Sequence, residues 1–487
     1  MSSDLGARAV KSTAWYVANR AWTQGISWLV TIVVARLLTP ADYGLFGMSM
    51  GVIAFLELFQ QLGIGTAIVQ RRDLTRPQVN ALFWLYAGAS LVVSLLAVAL
   101  APLAARFYGE PRLIGLINAL GLVFLLNALG TVPYSLLTRE IDFRRRSLAE
   151  ALGALVSSAA AIGLAWGGAG VWALVGAHLA SAVVRNISLM ILCGWLPGLD
   201  ASFRGVGEML RFGLKVGSTL VVETLSGVAN TALLGRILGP TALGYYSMAR
   251  SLGRNPFHKL STAAINQLSL PVFSRLQRED GPLRSYFLRI SKYLAVIALP
   301  MQCGIALVAH DLVLVLLGDK WLPIVPIFQI LTIGSLASVL SLPAPPLLTA
   351  RGRPGRALHV SAAVALLTFP GYLIGTRWGL LGVAVTWAII FTPLRCYLIG
   401  LALRELGLGP GPYLRNLLSS ILATVAMIAA VLLVRAATPG IEGAIERLAR
   451  DIAIGAASYV GVLLLHDRSF GHEMKTIAKT LVAGSRA

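Results

Sequence analysis

Long, uninterrupted apolar stretches recur along the whole chain and constrain its fold more than any other feature. A helix needs about 20 mostly apolar residues to cross the hydrocarbon core of a bilayer. Fourteen stretches meet this requirement, and they are 15–38, 43–64, 79–101, 113–137, 148–167, 169–192, 212–238, 243–267, 286–310, 322–349, 357–376, 380–400, 414–435 and 449–466. Membrane β-strands are excluded because they alternate in polarity over about 10 residues. We therefore predict an all-α polytopic membrane protein with fourteen transmembrane helices.

The charge content agrees with a chain that has little aqueous surface. Only 13% of the residues are charged and 56% are hydrophobic, whereas soluble domains carry about 25% charged residues. The net charge is +20, but the Lys and Arg residues fall in short clusters between apolar runs. A nucleic-acid partner would need such residues clustered on a soluble face with interleaved aromatic side chains, so none is predicted.

The distribution of the cations predicts the orientation in the membrane. Short cytoplasmic loops are enriched in Lys and Arg. With the N-terminus inside, the segments on that side carry 23 of these residues and the segments on the opposite side carry 7. We therefore expect both the N- and C-termini to be cytoplasmic.

Two sequence matches indicate an internal duplication. The segment Ala35–Met48 aligns with Gly235–Met248 at an offset of 200, with Arg, Leu, Pro, Gly and Met coinciding at five positions. Trp166–Val171 aligns with Trp378–Val383 at an offset of 212. An even number of crossings in each copy gives a parallel repeat, which is a transporter architecture.

The duplication predicts three domains. Two six-helix bundles would face each other across a central cleft, and two further helices and a cytoplasmic tail would follow. The predicted bounds are 1–200, 201–405 and 406–487.

The motif A-R-x-L-x-P-x-x-Y-G-L-F at Ala35–Phe46, followed by Gln61–Ala67, carries a family resemblance. Together with the twofold organisation, it resembles the polysaccharide flippases of the multidrug/oligosaccharidyl-lipid/polysaccharide (MOP) superfamily, especially the lipopolysaccharide-biosynthesis and colanic-acid-type exporters. The resemblance implies a flippase that moves polyprenyl-pyrophosphate-linked oligosaccharides across the bacterial inner membrane by alternating access. It further implies contact with membrane lipids, a polysaccharide polymerase and glycosyltransferases.

Polar side chains within the spans are the candidate site residues, because burying charge in lipid is expensive. Arginine can bind a pyrophosphate through bidentate hydrogen bonds, and a carboxylate could couple transport to Na⁺ or H⁺. The predicted substrate-binding residues are Arg20, Gln24, Arg185, Arg250, Arg254, His258 and Arg395, and the predicted ion-coupling residues are Glu57 and Glu223.

Alternative roles remain open for several of these residues. Arg254 and His258 could be membrane anchors that extend to the lipid headgroups. Arg185 and Arg395 could either line the cleft or cap helix ends.

The sequence also bears on enzyme activity and on alternative transport functions. No catalytic or metal-binding constellation and no P-loop motif is present, so we predict no enzyme activity, cofactor or direct use of ATP. The longest outer loop, 435–448, precedes Asp451, and the acids there are predicted to form a solvated, charge-mixed region with Arg447 and Arg450. The alternatives are a lipid II flippase, a multidrug exporter, which would want more acids in the cleft, and a polysaccharide polymerase or ligase, which would want larger outer loops.

Overall fold

Apolar helices of membrane-spanning length dominate the molecule. A computed structural model describes residues 25–60, 64–71, 73–253, 265, 269–438 and 443–466. Within those ranges every regular element is helical, and ten helical segments are long and apolar enough to cross a membrane. The prediction of an all-α polytopic membrane protein is therefore confirmed. The helices fall into two compact units, Met1–Met248 and Ala249–Ala487.

Within its described residues, the N-terminal unit contains eight helices, some of which are joined by very short turns. They are α1 (Gly25–Leu37), α2 (Pro40–Gln60), α3 (Ile64–Gln70), α4 (Arg76–Tyr108), α5 (Leu113–Arg139), α6 (Phe143–Trp166), α7 (Val171–Cys193) and α8 (Val206–Gly253), the last of which extends into the second unit. Helix α5 packs against α2, α3, α4 and α7, and α7 packs against α6. These contacts surround the cavity described below.

Two of the turns follow directly from local sequence. Between α1 and α2, the Thr39 backbone N–H and hydroxyl both donate to Asp42 Oδ2, at 2.9 and 2.6 Å, which caps the start of α2. In α8, Gly239 adopts φ 81° and ψ 177°, a conformation that is open essentially only to glycine. Pro240 follows it, so α8 consists of two helical parts at the position where the sequence predicts two spans.

The repeat-related glycines Gly44 and Gly244 lie at a close crossing between α2 and the second part of α8. A Cβ atom on Gly44 would lie 1.7 Å from the Pro240 carbonyl oxygen, and one on Gly244 would lie 1.8 Å from the Pro40 carbonyl oxygen. The contact is thus reciprocal: each glycine lies against the proline that begins the other helix. Small residues let backbones approach in this way where lipid removes the hydrophobic drive for association.

The described part of the C-terminal unit contains one short helical segment and eight further α-helices. After a helical segment at 269–276 come α9 (Asp280–Leu307), α10 (Ala309–Leu317), α11 (Val325–Leu340), α12 (Ala344–Ala350), α13 (Pro354–Gly375), α14 (Gly379–Glu405), α15 (Pro410–Ala437) and α16 (Ala444–His466). Helix α9 packs against α11 and α15, α13 against α14, and α15 against α16. A buried cluster that includes Phe273, Phe287 and Tyr413 forms the main core of this unit.

The expectation of a solvated, charge-mixed region is wrong for Asp451. Asp451 lies on α16 with its side chain 0% exposed, and it accepts from Arg435 Nε at 2.7 Å and Arg450 Nη2 at 3.1 Å. Arg447 Nη2 is paired with Asp311 Oδ1 at 3.1 Å. The sequence could not reveal this cluster, because folding brings together residues from α10, α15 and α16.

Candidate functional site

A cavity of about 710 Å³ lies inside the N-terminal unit, among α2, α4, α5, α6 and α7, and Gly65 and Val69 of α3 also line it. We call the end of the unit where α2 ends and α4 begins the near face. The lining residues lie mainly in the parts of these helices next to the near face, from Glu57 on α2 to Leu189 on α7. Polar side chains from all five helices line the walls, which is unusual within helices as apolar as these.

Arg185 is the cation that α7 places in this cavity. Its Nη2 atom donates to Asn127 Oδ1 on α5 at 2.7 Å, and the neighbouring Asn186 Nδ2 donates to the same oxygen at 3.2 Å. Gly130 permits this approach, since a Cβ atom there would lie 2.0 Å from Asn186 Oδ1. One asparagine oxygen therefore orients the guanidinium and leaves most of its five N–H donors available.

A stripe of polar side chains on α5 forms another wall of the cavity. The hydroxyl groups of Thr131, Ser135 and Thr138 donate to backbone carbonyl oxygens four residues earlier, at 2.7–2.8 Å. Their protons are thus engaged, and their lone pairs are the groups offered to a ligand. Sequence reasoning missed this wall, although the spacing of Asn127, Thr131, Ser135 and Thr138 on one helical face was a usable signal.

Glu57 and Gln60 reach the cavity from the last turn of α2. Gln60 is buried, and its Nε2 donates to Ser90 Oγ at 2.6 Å and to the Phe124 carbonyl oxygen at 3.2 Å. Among the described residues, no hydrogen bond or ion pair engages the exposed Glu57 carboxylate. Arg185 interacts with it electrostatically across the site. The cavity therefore contains one oriented cation and one carboxylate that is open to a ligand.

Glu150 supplies a second carboxylate, but this one is engaged. Its Oε1 accepts from Arg146 Nε at 3.2 Å. The Arg146 guanidinium also lies over the Tyr134 ring, at 4.5 Å from the ring centre. This pair closes the α5–α6 side of the cavity, and its charges compensate each other.

The predicted site residues separate in the structure. Arg185 and Glu57 line one cavity. Arg250 is exposed in the last turn of α8, and the Arg395 guanidinium lies over the Phe391 ring, at 4.9 Å from its centre. The predicted residues that lie outside the described part of the chain are Arg20, Gln24, Arg254 and His258, and the side chain of Glu223 is likewise not described.

Comparison with known proteins places the chain in a family. A family model described as "Polysaccharide biosynthesis protein" matches residues 33–326, which is more than half of the chain. The chain belongs to this family. The resemblance seen in the motif around Pro40 is thereby confirmed.

Individual relatives cover nearly the whole length. The chain is 26% identical to the teichuronic acid biosynthesis protein TuaB of Bacillus subtilis (strain 168), over 93% of this chain and 96% of TuaB. It is 25% identical to the succinoglycan biosynthesis transport protein ExoT of Rhizobium meliloti (strain 1021), over 98% of this chain and 97% of ExoT.

A solved structure shows the same fold. The lipid II flippase MurJ, in an inward closed conformation, superposes with a TM-score of 0.77 at 13% identity, covering 94% of this chain and 99% of MurJ. At that identity the likeness concerns the fold alone. This polysaccharide biosynthesis family member thus has a fold also used by a lipid flippase.

Proposed function

We propose that this protein flips polyprenyl-pyrophosphate-linked oligosaccharides from the cytoplasmic to the periplasmic leaflet of the bacterial inner membrane. The observation that carries the proposal is the polar cavity inside apolar helices, where Asn127 holds Arg185 in place. A membrane protein that only anchors other components has no use for such a cavity. Family membership and the relatives' names in polysaccharide biosynthesis and transport support the same cargo class.

The cavity chemistry matches the two polar parts of this cargo. Arg185 presents N–H donors in a planar array that suits the oxygens of a pyrophosphate. The α5 hydroxyl groups and the Glu57 carboxylate offer acceptors to sugar hydroxyl groups. The polyprenyl tail would remain in the bilayer.

The transport cycle is proposed to be alternating access. The cavity lies towards the near face, which the positive-inside rule assigns to the cytoplasm with both termini on the same side. At the opposite end of α2, the reciprocal crossing of Gly44 and Gly244 closes the helices against each other. This reciprocal contact also supports the proposed fourteen-helix, twofold layout. Opening that crossing would expose the cargo outside.

The membrane potential is sufficient to drive net export. Moving a charge is worth about 2.3 kcal/mol per 100 mV, and the inside is negative. A pyrophosphate with two charges would gain roughly 4–5 kcal/mol on leaving the cytoplasm. Coupling to Na⁺ or H⁺ is not required, although Glu57 and Glu223 are the residues where it would act.

The remaining predicted residues keep their proposed roles. The residues proposed as further cargo contacts are Arg20, Gln24, Arg250, Arg254, His258 and Arg395. Replacing Arg250 and Arg254 with Ala tests this, since undiminished surface polysaccharide at normal protein levels would contradict the role.

The experiment that tests the function is a flipping assay in proteoliposomes. A fluorescent short-chain polyprenyl-pyrophosphate oligosaccharide is incorporated, and its movement is followed by the access of a membrane-impermeant quencher. We expect protein-dependent flipping that Arg185→Ala slows roughly 10- to 100-fold. Arg106→Ala, at an exposed position in the last turn of α4, should leave flipping intact. Equal flipping with and without the protein would contradict the proposal.

The same assay separates the alternatives. Preferential flipping of lipid II would favour a peptidoglycan role, and efflux of an organic cation would favour a multidrug exporter. Elongation of the glycan during the assay would reveal a polymerase or ligase.

A further inference from the structure

A second cavity, of about 700 Å³, lies in the C-terminal unit between the start of α13 and the end of α14. Both helices present one face to it. Arg353, Arg356 and His359 come from the α13 side, and Arg404 and Glu405 from α14. Because α13 and α14 are antiparallel, these residues gather at one end of the helix pair, at the edge of the membrane-spanning segment.

The mouth of this cavity carries excess positive charge that is held in position. Glu405, with a side chain 10% exposed, accepts hydrogen bonds from both Arg353 and Arg356. Both guanidinium groups remain partly open to the exterior, at 53% and 41% exposure. Arg404 is exposed, and no acid among the described residues pairs with it. Three arginines against one glutamate leave two uncompensated positive charges.

The interior of the same cavity is apolar. Between one and about three helical turns deeper than the arginines, α13 contributes Val360 and Ala363, and α14 contributes Leu401 and Leu394. The charged part and the apolar part follow each other along each helix axis. From Arg353 to Ala363, and from Arg404 back to Leu394, they span ten residues, or about 15 Å at 1.5 Å per residue. A soluble anion would fill only the mouth. A molecule with a negative headgroup and a hydrocarbon chain fits both parts.

We propose that this cavity is a binding site for an anionic phospholipid of the leaflet at that face. Its phosphate would be bound by Arg353, Arg356 and Arg404, and one acyl chain would lie along Val360, Ala363, Leu394 and Leu401. Charge-assisted hydrogen bonds from arginine to phosphate are strong and geometrically specific, and basic pockets between transmembrane helices suit anionic headgroups. Glu405 orients two of the three arginines and prevents mutual repulsion from dispersing them.

The site is distinct from the arginines that only set orientation. An anchoring arginine extends alone to the headgroup layer, whereas here two helices bring their cations to one concave surface. Arg275, Arg278 and Arg415 provide a matched comparison, because they are exposed and do not line this cavity. Arg275 and Arg278 precede the start of α9. The start of α9 lies at the same end of the unit as the cavity, because Asp280 there accepts a hydrogen bond from Arg351, which shortly precedes α13. Arg415 lies in the second turn of α15, and α15 begins only a few residues after α14 ends.

The test measures lipid binding by the purified full-length protein in detergent, using native mass spectrometry. The probes are phosphatidylglycerol, zwitterionic phosphatidylethanolamine and inorganic pyrophosphate. We expect phosphatidylglycerol to bind in preference to phosphatidylethanolamine. Replacing Arg353, Arg356 and Arg404 with Ala should weaken phosphatidylglycerol binding about 10- to 100-fold, because each substitution removes one positive charge that faces the headgroup. The triple variant at Arg275, Arg278 and Arg415 should stay within about twofold of the parent.

Three results would overturn the proposal. Equal losses in the two triple variants would indicate a diffuse positive surface. Equal binding of the two phospholipids would remove the role of charge, and displacement of phosphatidylglycerol by equimolar pyrophosphate would indicate a soluble-anion site. If the first triple variant does not fold, Arg404→Ala decides, because that side chain is exposed and unpaired among the described residues. It should weaken phosphatidylglycerol binding about 3- to 10-fold, and unchanged binding would contradict the site.

Discussion

Two charged residues at the N-terminal cavity contrast with two paired clusters in the C-terminal unit. In the N-terminal unit, Arg185 and Glu57 line a cavity, and Glu57 has no ion-pair partner among the described residues. In the C-terminal unit, Asp451 and Glu405 each accept from two arginines at helix ends. A charge without a partner beside a cavity is available to a ligand, whereas the loss of one member of a buried pair is costly because it leaves the other charge uncompensated. The comparison therefore assigns cargo contact to the cavity of Arg185 and Glu57, and structural or lipid contacts to the paired clusters around Asp451 and Glu405.

Asp451→Asn should have the largest effect on stability. The substitution leaves Arg435 and Arg450 partly buried without their carboxylate, which costs about 3–5 kcal/mol of unfolding free energy for a buried pair. Thermal unfolding in detergent would show this as a marked fall in Tm. Asp319→Asn, at an exposed carboxylate, should change little. Equal shifts in the two variants would remove the structural role assigned to this cluster.

In the N-terminal unit, we expect the crossing of α2 and α8 at Gly44 to be the position least tolerant of a larger side chain. In Gly44→Ala, the new methyl group would overlap the Pro240 backbone, with an expected cost of about 1–3 kcal/mol from overpacking. Gly47→Ala on the same helix is the control, since its nearest new contact would be the Leu243 side chain at 3.6 Å. Thermal unfolding and membrane protein levels measure the difference. Tolerance of Gly44→Ala at parental stability would show that the crossing is not close.

The sharpest functional comparison is between Arg185 and Arg395, for which the sequence predicts the same role. Removal of Arg185 should reduce the flipping rate roughly 10- to 100-fold, the range for a lost hydrogen bond to a charged group. Arg395→Ala should cost less, because that guanidinium lies over the Phe391 ring and not in the described cavity. The proteoliposome assay measures both. A larger loss in Arg395→Ala would contradict the assignment of the cavity around Arg185 as the main cargo site.

The smallest expected effect is that of Asn127→Ala. Without its Oδ1 acceptor, Arg185 stays charged but is no longer held in one orientation, so flipping should fall about 2- to 10-fold. Asn127→Asp keeps an acceptor oxygen and should retain more activity than Asn127→Ala. The ratio of the two rates is the measurement. Identical rates in both variants would show that Asn127 does not orient Arg185.

Part of the candidate site could be predicted from the sequence. Arg185 and Glu57 stand out because an ionisable residue within an apolar run is rare. The α5 wall was overlooked because hydroxyl residues are common in membrane helices and attract less notice than charges. Gln60 lines the same cavity as Glu57, and it also joins α2 to Ser90 on α4 and to the α5 backbone.

The sequence by itself determined that this is a helical membrane protein, where its main turns fall and which family it resembles. Those properties depend on local hydropathy, on turn residues such as Gly239 and Pro240, and on contiguous motifs. Only the tertiary structure decided which polar residues share a cavity and which charges neutralise each other. Asp311 illustrates the reason: it is paired with Arg447, which lies 136 residues away along the chain and 3.1 Å away in space. Pairings between helices depend on how the helices are rotated and packed, and hydropathy does not encode that.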